Sequence, residues 1–313
     1  MSWDPTRLSG DWVSTGALQE GDLLLLAVRE RLAQKRTAYQ TVELVETVPY
    51  GRSLVLDGSL QATQRDEFIY HESLVHPGLL ASPPRGKVVV LGGGEGATLR
   101  EVLKHRWVEQ AVMVDIDEEV VGFCKTYLPS FHQGAFDDPR AHLVFTDARQ
   151  WIENQPPGSY SAVVFDITEP LEGGPARMLF TREFYSLVRR VLVPGGIFAT
   201  HAGPILLPGQ PAAGLFPRIV RTLRDVFDQV SPMSSFIHSF GDPWSFVVCR
   251  AGPEPLPGED RIDSLIRARV EGTLSAYDAT THVHMTHLPA YVRTMLDRPW
   301  DPYTDAHPPG LVV

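Results

Sequence analysis

The sequence predicts an α/β fold with a doubly wound, mostly parallel sheet and a small antiparallel β domain ahead of it. From residue 87 onward, continuous apolar runs such as KVVVLG alternate with amphipathic runs such as ATLREVLKH. Fully apolar strands that alternate with helices are typical of parallel sheets covered on both faces. Between residues 39 and 64, short β-rich runs are instead separated by turn dipeptides. The larger unit is therefore predicted to be Rossmann-like, and the smaller one an antiparallel sheet.

The N-terminal segment and small β domain are assigned to residues 1–84. Leu23–Arg31 is interpreted as a short helix. Three strands follow, with turns at Tyr50-Gly51 and Asp57-Gly58 between them: TVELVET, SLVLDG and LQATQ. The run RDEFIYHESLVHP then fits a helix that Pro77 closes.

Proline-rich segments limit the larger domain, which is predicted to span residues 85–251. SPPRG at residues 82–86 is interpreted as a hinge, and AGPEPLPGED follows the domain. Leu215–Phe227 and Ser245–Cys249 are expected to add a helix and a strand to it. The remaining residues, 252–313, are predicted to form a C-terminal helical extension with one helix, IDSLIRARVEGTL, and a less regular end.

Composition argues against several classes of protein. The formal net charge of −10 disfavours a nucleic-acid partner and suits a cationic small molecule. Cys124 and Cys249, the only cysteines, are too few for a disulfide scaffold or a thiolate metal site. The start, MSWDPTRLSGDW, lacks a signal-peptide pattern, and the leucine run at 23–26 is far shorter than the roughly 20 residues of a membrane span. We therefore expect a cytoplasmic protein with no membrane partner.

A glycine-rich loop follows the first strand of the larger domain. Gly92, Gly93, Gly94 and Gly96 stand between VVVL and a helix that is expected to begin near Thr98. Glycines at such a position let the backbone turn tightly and approach a ligand closely. The alternative is a tight strand–helix turn that binds nothing.

Acidic residues follow the next two strands. Asp115 lies 19 residues after Gly96, a spacing at which a carboxylate can accept both hydroxyls of an adenosine ribose. Asp117 is interpreted as the N-cap of the next helix. Asp147 can accept a hydrogen bond from an adenine amino group, or it can cap the helix that follows.

The fourth strand ends in VVFDITEP, which places Asp166 at its tip and Glu169 in the following loop. Ligands of doubly wound sheets bind at the carboxyl ends of the strands, near the point where strand order reverses. The glycine loop and these acids together predict a site for an adenosine-containing ligand.

Glu95 restricts which adenosine derivative fits. A dinucleotide places a pyrophosphate at the first helix N-terminus, where the Glu95 carboxylate would repel it. Enzymes that use S-adenosylmethionine usually carry an acid two residues before the first glycine, and that position is Val90. Glu95 instead suits a ligand that ends in an ammonium without a carboxylate, such as decarboxylated S-adenosylmethionine. A methyltransferase that uses S-adenosylmethionine and a protein that binds a nucleoside without turnover remain alternatives.

Several motifs together closely resemble the polyamine aminopropyltransferases, the spermidine synthase family: GGGEGATLREVLKH, VDIDEEVV, TDA, DITEPLEGGPA and QATQRDEFIYHE. The resemblance runs from about Tyr39 to Arg250. It is strongest to the thermospermine synthase type and related bacterial enzymes, through IYHE, DEEVVGFC, EGGPA, HAGP and SFGDPW. It implies a methyltransferase-like Rossmann domain that carries an N-terminal β domain.

The resemblance also implies an activity. Family members transfer the aminopropyl group of decarboxylated S-adenosylmethionine to an amine and release 5'-methylthioadenosine. The expected acceptor is putrescine, agmatine or spermidine. The donor is a co-substrate, and neither a cofactor nor a metal is expected. The likeness further implies a homodimer or homotetramer.

The resemblance assigns donor-binding roles to one set of residues. Asp115 and Gln40 would hold the ribose, and Asp147 the adenine. Gln61, Glu95 and Asp166 would surround the aminopropyl part. The remaining donor contacts would come from Gly92, Gly94, Ala148 and Pro175, with Ala176 beside the last.

A second set is expected to act on the acceptor. Asp166 and Tyr70 would deprotonate and orient the attacking amine, although Tyr70 can also be read as core filling. The other expected acceptor contacts are His71, Glu169, Asp242 and Trp244, with Phe240 near the last. For Trp244 and Phe240 plain packing is the alternative.

Three positions depart from the family pattern. Glu169 stands where the family usually has a second Asp, Ala148 follows Asp147, and His238 occupies a place where relatives often have Pro. All three lie in regions that select the acceptor, so the resemblance does not decide which amine is the acceptor. His71, His76 and His105 are expected to be too scattered for a metal site, and the tail cluster at 282, 284 and 287 is expected to be surface or packing.

Overall fold

The first five strands form a small, largely antiparallel barrel. The computed structural model describes residues 10–15, 23–170, 172 and 174–310. The barrel strands are β1 (Asp11–Ser14), β2 (Leu25–Arg36), β3 (Thr41–Thr47), β4 (Gly51–Leu56) and β5 (Ser59–Thr63). Its interior is apolar and is built from Val13, Leu26, Val45, Val55 and Leu60. The three strands predicted between residues 41 and 63 are confirmed.

The helix expected at Leu23–Arg31 is wrong, because β2 occupies this stretch. Its backbone pairs with β1 on one side and β3 on the other, from Val28 opposite Thr47 to Arg36 opposite Thr41. Arg31 also bonds Asp11 of β1 at 2.7 Å. Hydrogen bonding on both edges thus outweighs the local helix preference of a Leu-, Ala- and Arg-rich run.

Seven further strands within the described residues form the main sheet. They are β6 (Gly86–Gly92), β7 (Val108–Asp115), β8 (Ala141–Phe145), β9 (Tyr160–Asp166), β10 (Leu192–Pro204), β11 (Gln229–Ile237) and β12 (Asp242–Arg250). The order is β11-β12-β10-β9-β6-β7-β8. Strands β6 to β10 run parallel, and β12 is antiparallel to both of its neighbours, β10 and β11. Strand order reverses at β6, which has β7 on one side and β9 on the other. This is the switch point at which a ligand is expected.

Helices cover both faces of this sheet. They are α1 (Glu67–Ala81), α2 (Ala97–Leu103), α3 (Glu118–Tyr127), α4 (Pro129–His132), α5 (Ala148–Glu153), α6 (Arg182–Val191), α7 (Leu215–Arg224), α8 (Glu259–Arg269), α9 (Ala279–Thr286) and α10 (Ala290–Leu296). Short 3₁₀ helices occupy Ala135–Asp137, Pro175–Leu179 and Pro211–Gly214. Alternate strand residues face opposite cores, Val163 on one side and Val164 on the other. The predicted two-faced burial is confirmed.

Three expectations about elements need correction. Pro77 does not close α1, which continues to Ala81. Its last turn packs closely on the sheet, with Gly78 against Ile197 and Ala199, and this packing offsets the hydrogen bond that proline cannot make. Strand β11 was not predicted, because Pro232 interrupts an otherwise β-like run at the sheet edge. The tail contains α9 and α10 in addition to the one expected helix.

We expect Gly92→Ala to destabilise the protein far more than Gly58→Ala. Both glycines have positive φ, 80° and 83°, so both substitutions cost about 1–2 kcal/mol of backbone strain. A Cβ at Gly58 meets nothing within 4 Å, whereas one at Gly92 overlaps the backbone oxygen of Asp166. Urea unfolding should therefore show a loss of roughly 3 kcal/mol or more for Gly92→Ala. Equal losses in the two variants would contradict this close approach of β6 and β9.

Candidate functional site

A cavity of about 600 Å³ lies at the carboxyl ends of β6, β7 and β9, with barrel residues on its opposite wall. This volume is typical of a small-molecule site. It brings together most of the residues singled out in the sequence: Gln40, Gln61, Tyr70, His71, Gly92, Gly94, Glu95, Asp115, Asp147, Ala148, Asp166, Glu169, Asp242 and Trp244. Pro175 begins the 3₁₀ helix whose Ala176 and Leu179 line the cavity.

Asp166 is fixed by two hydroxyl groups at the tip of β9. The Tyr70 hydroxyl donates to Oδ1 at 2.9 Å, and the Thr98 hydroxyl donates to Oδ2 at 2.5 Å. Burial raises the pKa of Asp166, and the nearby Glu95 carboxylate raises it further. Burial, with the charge of Asp166, also raises the pKa of Tyr70 well above its usual range. The two hydroxyl groups thus fix the orientation of the Asp166 carboxylate, and its affinity for a proton is increased.

The glycine loop brings backbone and carboxylates close together. The Gly93 N–H donates to the Asp166 carbonyl at 2.9 Å. A Cβ at Gly94 would lie 3.1 Å from Oδ2 of Asp115, so only glycine leaves this approach unobstructed. Burial, together with the Glu95, Asp117 and Asp166 charges, raises the pKa of Asp115 to about 6.

Asp117 joins the barrel to the main sheet. It caps α3 by accepting the Val120 N–H, which confirms its predicted structural role. Its Oδ2 also accepts the Thr37 hydroxyl at 2.6 Å and the Gln40 amide at 3.2 Å. Gln40 is therefore held beside Asp115 by contacts that cross from one unit to the other.

Asp147 caps α5, which was one of its two predicted roles. Its Oδ1 accepts the Gln150 N–H at 2.8 Å. The side chain is exposed and still lines the cavity next to the buried Ala148. Capping thus fixes the position of a carboxylate that remains available to a ligand.

His71 and Glu95 belong to a buried network on the inner wall. His71 Nε2 lies 3.1 Å from Glu95, and Nδ1 lies 2.7 Å from Glu67. Arg100 in turn bonds both oxygens of Glu67 at 2.9 Å. Sequence reasoning missed Glu67, Arg100 and Thr98 as parts of the site, although Thr98 and Arg100 stand in the same GATLREV run as the glycine loop.

The outer end of the cavity is aromatic and acidic. The Phe240 and Trp244 ring centroids lie 4.7 Å apart, and Trp244 stacks on His201 at 6.3 Å. His201, also missed in the sequence, donates from Nε2 to the Ile167 carbonyl at 2.6 Å. Glu169 and Asp242 line the same end of the site. This combination suits an alkyl chain that carries a cationic group.

Histidines are less scattered than the sequence indicated. His76 Nδ1 lies 3.0 Å from His105 Nε2 in the protein interior, and His76 Nε2 lies 2.9 Å from Glu101. In the cavity, ligand atoms of His71, Glu95 and Asp166 lie within 4.8 Å of one another. Both nitrogens of His71 are already occupied by carboxylates, so the donor set favours an ammonium group over a metal ion.

We expect Asp115→Asn to stabilise the ligand-free protein at pH 8. A rise in pKa from 3.8 to about 6 corresponds to roughly 3 kcal/mol, and water in the cavity reduces this figure, so we expect a gain of about 1–3 kcal/mol. The folded state disfavours the ionised form, so the cost is complete above pH 6 and absent below pH 3.8. Urea unfolding at pH 8 and pH 4 checks this, with only a small part of the gain expected at pH 4, where the cost has just begun to appear. An Asp115→Asn variant that is less stable than the parent at pH 8 would contradict the raised pKa of Asp115.

Comparisons with known proteins identify the family. The spermine/spermidine synthase domain model matches residues 67–255, and the spermidine synthase tetramerisation domain model matches residues 12–64. A curated relative, polyamine aminopropyltransferase 2 of Hyperthermus butylicus, is 42% identical over 97% of this chain and 97% of its own. The polyamine aminopropyltransferase of Sulfurisphaera tokodaii is 40% identical over 87% of this chain and 89% of its own.

Solved structures agree with these relatives. A spermidine synthase in complex with the transition-state analogue AdoDATO superposes with a TM-score of 0.84 at 28% identity, covering 93% of this chain and 96% of its own. The spermidine synthase of Thermotoga maritima superposes with a TM-score of 0.83 at 26% identity, covering 95% and 97%. Among the helices of the described residues, none combines the length and apolarity that crossing a membrane requires. The chain belongs to the spermine/spermidine synthase family.

Proposed function

We propose that this protein transfers the aminopropyl group of decarboxylated S-adenosylmethionine to an amine and releases 5'-methylthioadenosine. The observation that carries the proposal is Asp166, held between the Tyr70 and Thr98 hydroxyls beside Glu95 in an acidic cavity. Both substrates are cations, and a cluster of carboxylates with low-dielectric walls attracts cations. The relatives' names and the AdoDATO complex support the same chemistry.

The reaction is a displacement at the carbon attached to sulfur. The nitrogen lone pair of the acceptor forms the new C–N bond, and the C–S electron pair leaves with sulfur as a neutral thioether. An aliphatic amine has a pKa near 10, so it arrives as an ammonium and must first lose a proton. Asp166 takes that proton, directly or through a water molecule, and Tyr70 orients the amine. The neutral thioether leaves without acid assistance, so catalysis depends mainly on alignment and desolvation.

The donor is assigned to the part of the cavity near the glycine loop. Asp115 and Gln40 bind the ribose, and Asp147 binds the adenine amino group. Glu95 and Gln61 contact the aminopropyl part. The remaining donor contacts come from Gly92, Gly94, Ala148 and Pro175. All of these residues except Pro175 line the cavity, which supports the assignments.

The acceptor is assigned to the aromatic end. Trp244 supplies an apolar wall, and Glu169 and Asp242 bind the distal ammonium of a linear amine such as putrescine, agmatine or spermidine. Tyr70 and His71 are assigned to the acceptor as well, and both line the cavity. An S-adenosylmethionine-dependent methyltransferase is the alternative. It is disfavoured because Glu95 faces the place where that donor's carboxylate would sit, and because Val90 carries no charge.

We also propose a homodimer or homotetramer in the cytoplasm. The match of residues 12–64 to a tetramerisation domain supports assembly through the barrel. The two cysteines are free and buried, which suits a reducing compartment.

Incubation with the donor and a panel of amines tests the function. Mass spectrometry should show a gain of one aminopropyl unit on at least one of putrescine, cadaverine, agmatine, spermidine and norspermidine. Asp166→Asn should lower kcat by about 10²–10⁴-fold, since it removes the proton acceptor, while methylthioadenosine binding survives. Asp260→Asn, on the exposed surface of α8, is the matched control and should keep full activity. No aminopropylated product with any amine would refute the proposal.

Glu169→Asp should change acceptor preference more than donor affinity. The substitution withdraws the carboxylate by about one methylene, which moves the seat of the distal ammonium relative to Asp166. We expect the ratio of kcat/KM for two acceptors of different length to change by about tenfold, with the donor KM within twofold. Glu172→Asp in the same loop is the matched control, because Glu172 lines a different cavity. An unchanged acceptor profile would remove Glu169 from the acceptor site.

A further inference from the structure

Four charged side chains of alternating sign lead from the protein interior to the cavity. Arg100 on α2 bonds Glu67 on α1 through two nitrogens at 2.9 Å. Glu67 Oε2 lies 2.7 Å from Nδ1 of His71, and Nε2 of His71 lies 3.1 Å from Oε1 of Glu95. Glu95 is the last member and lines the cavity. We call these four residues the charge ladder.

The charge ladder is shielded from solvent. The side chains of Arg100, Glu67 and His71 are 7%, 8% and 3% exposed, and that of Glu95 is 12% exposed. Charges removed from water are costly unless each has a partner of opposite sign and satisfied hydrogen bonds. Glu67 and His71 each lie between two partners of opposite charge, and Arg100 bonds Glu67 through two nitrogens. Among the described residues, the charged partner of Glu95 is His71, and the Glu95 side chain lines the cavity.

The contacts of His71 favour the doubly protonated form of its ring. An ionised carboxylate can only accept a hydrogen bond, and His71 presents one ring nitrogen to each of two carboxylates. With both carboxylates ionised, both nitrogens donate, and Nδ1 also lies 2.7 Å from the Glu67 backbone carbonyl, so the ring is assigned as an imidazolium. Burial alone would lower the pKa of His71, but hydrogen bonds to Glu67 and Glu95 and their charges raise it to about 10.

We propose that His71 is a positioning residue whose imidazolium keeps Glu95 ionised and aimed at the donor's terminal ammonium, leaving Asp166 as the carboxylate that accepts the proton. The proposal rests on the proposed function and deepens it. Because both nitrogens of His71 are engaged, the residue acts through Glu95 rather than by binding the acceptor itself. The donor ammonium would lie on the cavity side of Glu95 and continue the alternation of charge.

Two neighbouring carboxylates otherwise compete for one proton. Burial would raise the pKa of Glu95, and His71 reverses this to a lowered value. Burial and the Glu95 charge raise the pKa of Asp166, and the His71 charge partly opposes them. The other titratable groups that face Glu95 across these elements are Glu67 and Tyr70 of α1, Asp115 of β7, and Cys124 of α3. His71 is the cation among these groups. It therefore keeps Glu95 ionised for the donor ammonium and leaves Asp166 to accept the proton.

Replacement of His71 by Gln tests the proposal through two ligands that differ by the aminopropyl group. Methylthioadenosine lacks the donor's ammonium, so calorimetry should show its affinity within twofold of the parent. Affinity for decarboxylated S-adenosylmethionine at pH 7 should fall at least tenfold. The acid limb of the kcat/KM profile for the donor should move to higher pH by about one unit, because the pKa values of Glu95 and Asp166 both rise without the cation.

His76→Gln is the matched control. His76 is as buried as His71 and bonds Glu101, which in turn bonds Arg100 at 2.8 Å, so it belongs to the same buried network. It lies outside the cavity and does not bond Glu95, so the variant tests the network without the contact that the proposal invokes. We expect His76→Gln to lower the free energy of unfolding. It should change neither the difference in affinity between the two ligands nor the pH of the acid limb of the kcat/KM profile. Equal weakening of both ligands in His71→Gln, or an unmoved acid limb, would reduce His71 to a structural role and overturn the proposal.

A measurement on the parent protein covers a His71→Gln variant that fails to fold. Nitrogen-15 spectra at pH 8 should show both ring nitrogens of His71 protonated, and a neutral tautomer there would overturn the proposal. This outcome is separate from failure of the proposed function. Absence of aminopropyl transfer in the parent refutes the function, whereas the protonation state and the ligand difference are measured without turnover.

Discussion

The site depends on one constraint, the convergence of carboxylates at the ends of adjacent parallel strands. Parallel pairing brings the tips of β6, β7 and β9 to one edge, so Glu95, Asp115 and Asp166 lie in one partly dry cavity. Like charges in such surroundings raise one another's proton affinity unless cations or hydrogen-bond donors intervene. Three kinds of partner oppose this increase in proton affinity. They are the hydroxyls around Asp166, the imidazolium beside Glu95, and the backbone N–H that Asp117 donates to Asp115.

Sequence reasoning reached the strand tips because local rules decide them. Period and apolarity predict buried strands, and topology then places Asp115 and Asp166 at one edge. Tyr70 was paired with Asp166 only through the family resemblance, and the other contacts that organise the site were missed. Thr98 meets Asp166 across 68 residues of chain and Arg100 meets Glu67 across 33, and no periodicity encodes such contacts.

The failures among the elements have the same origin. The run around Leu25–Arg36 has good helix formers, yet pairing with two other strands decides its conformation. Pro77 is a helix breaker by local rules, yet packing of the last turn of α1 on the sheet retains the helix. In both cases tertiary contacts that the sequence does not announce outweigh a preference of roughly 1–3 kcal/mol.

The bonds of Asp117 to Thr37 and Gln40 have a consequence for the protein as a whole. The cavity walls come from two differently built units, and these bonds hold the units together at the edge of the site. A nucleoside seated there adds contacts to both walls. A ligand that binds only the assembled arrangement stabilises it by an amount that grows with the logarithm of the ligand concentration over Kd. The supply of substrate therefore also affects how firmly barrel and sheet stay together. Saturation with substrate would then protect the contact between the barrel and the main sheet from local opening and from proteolysis.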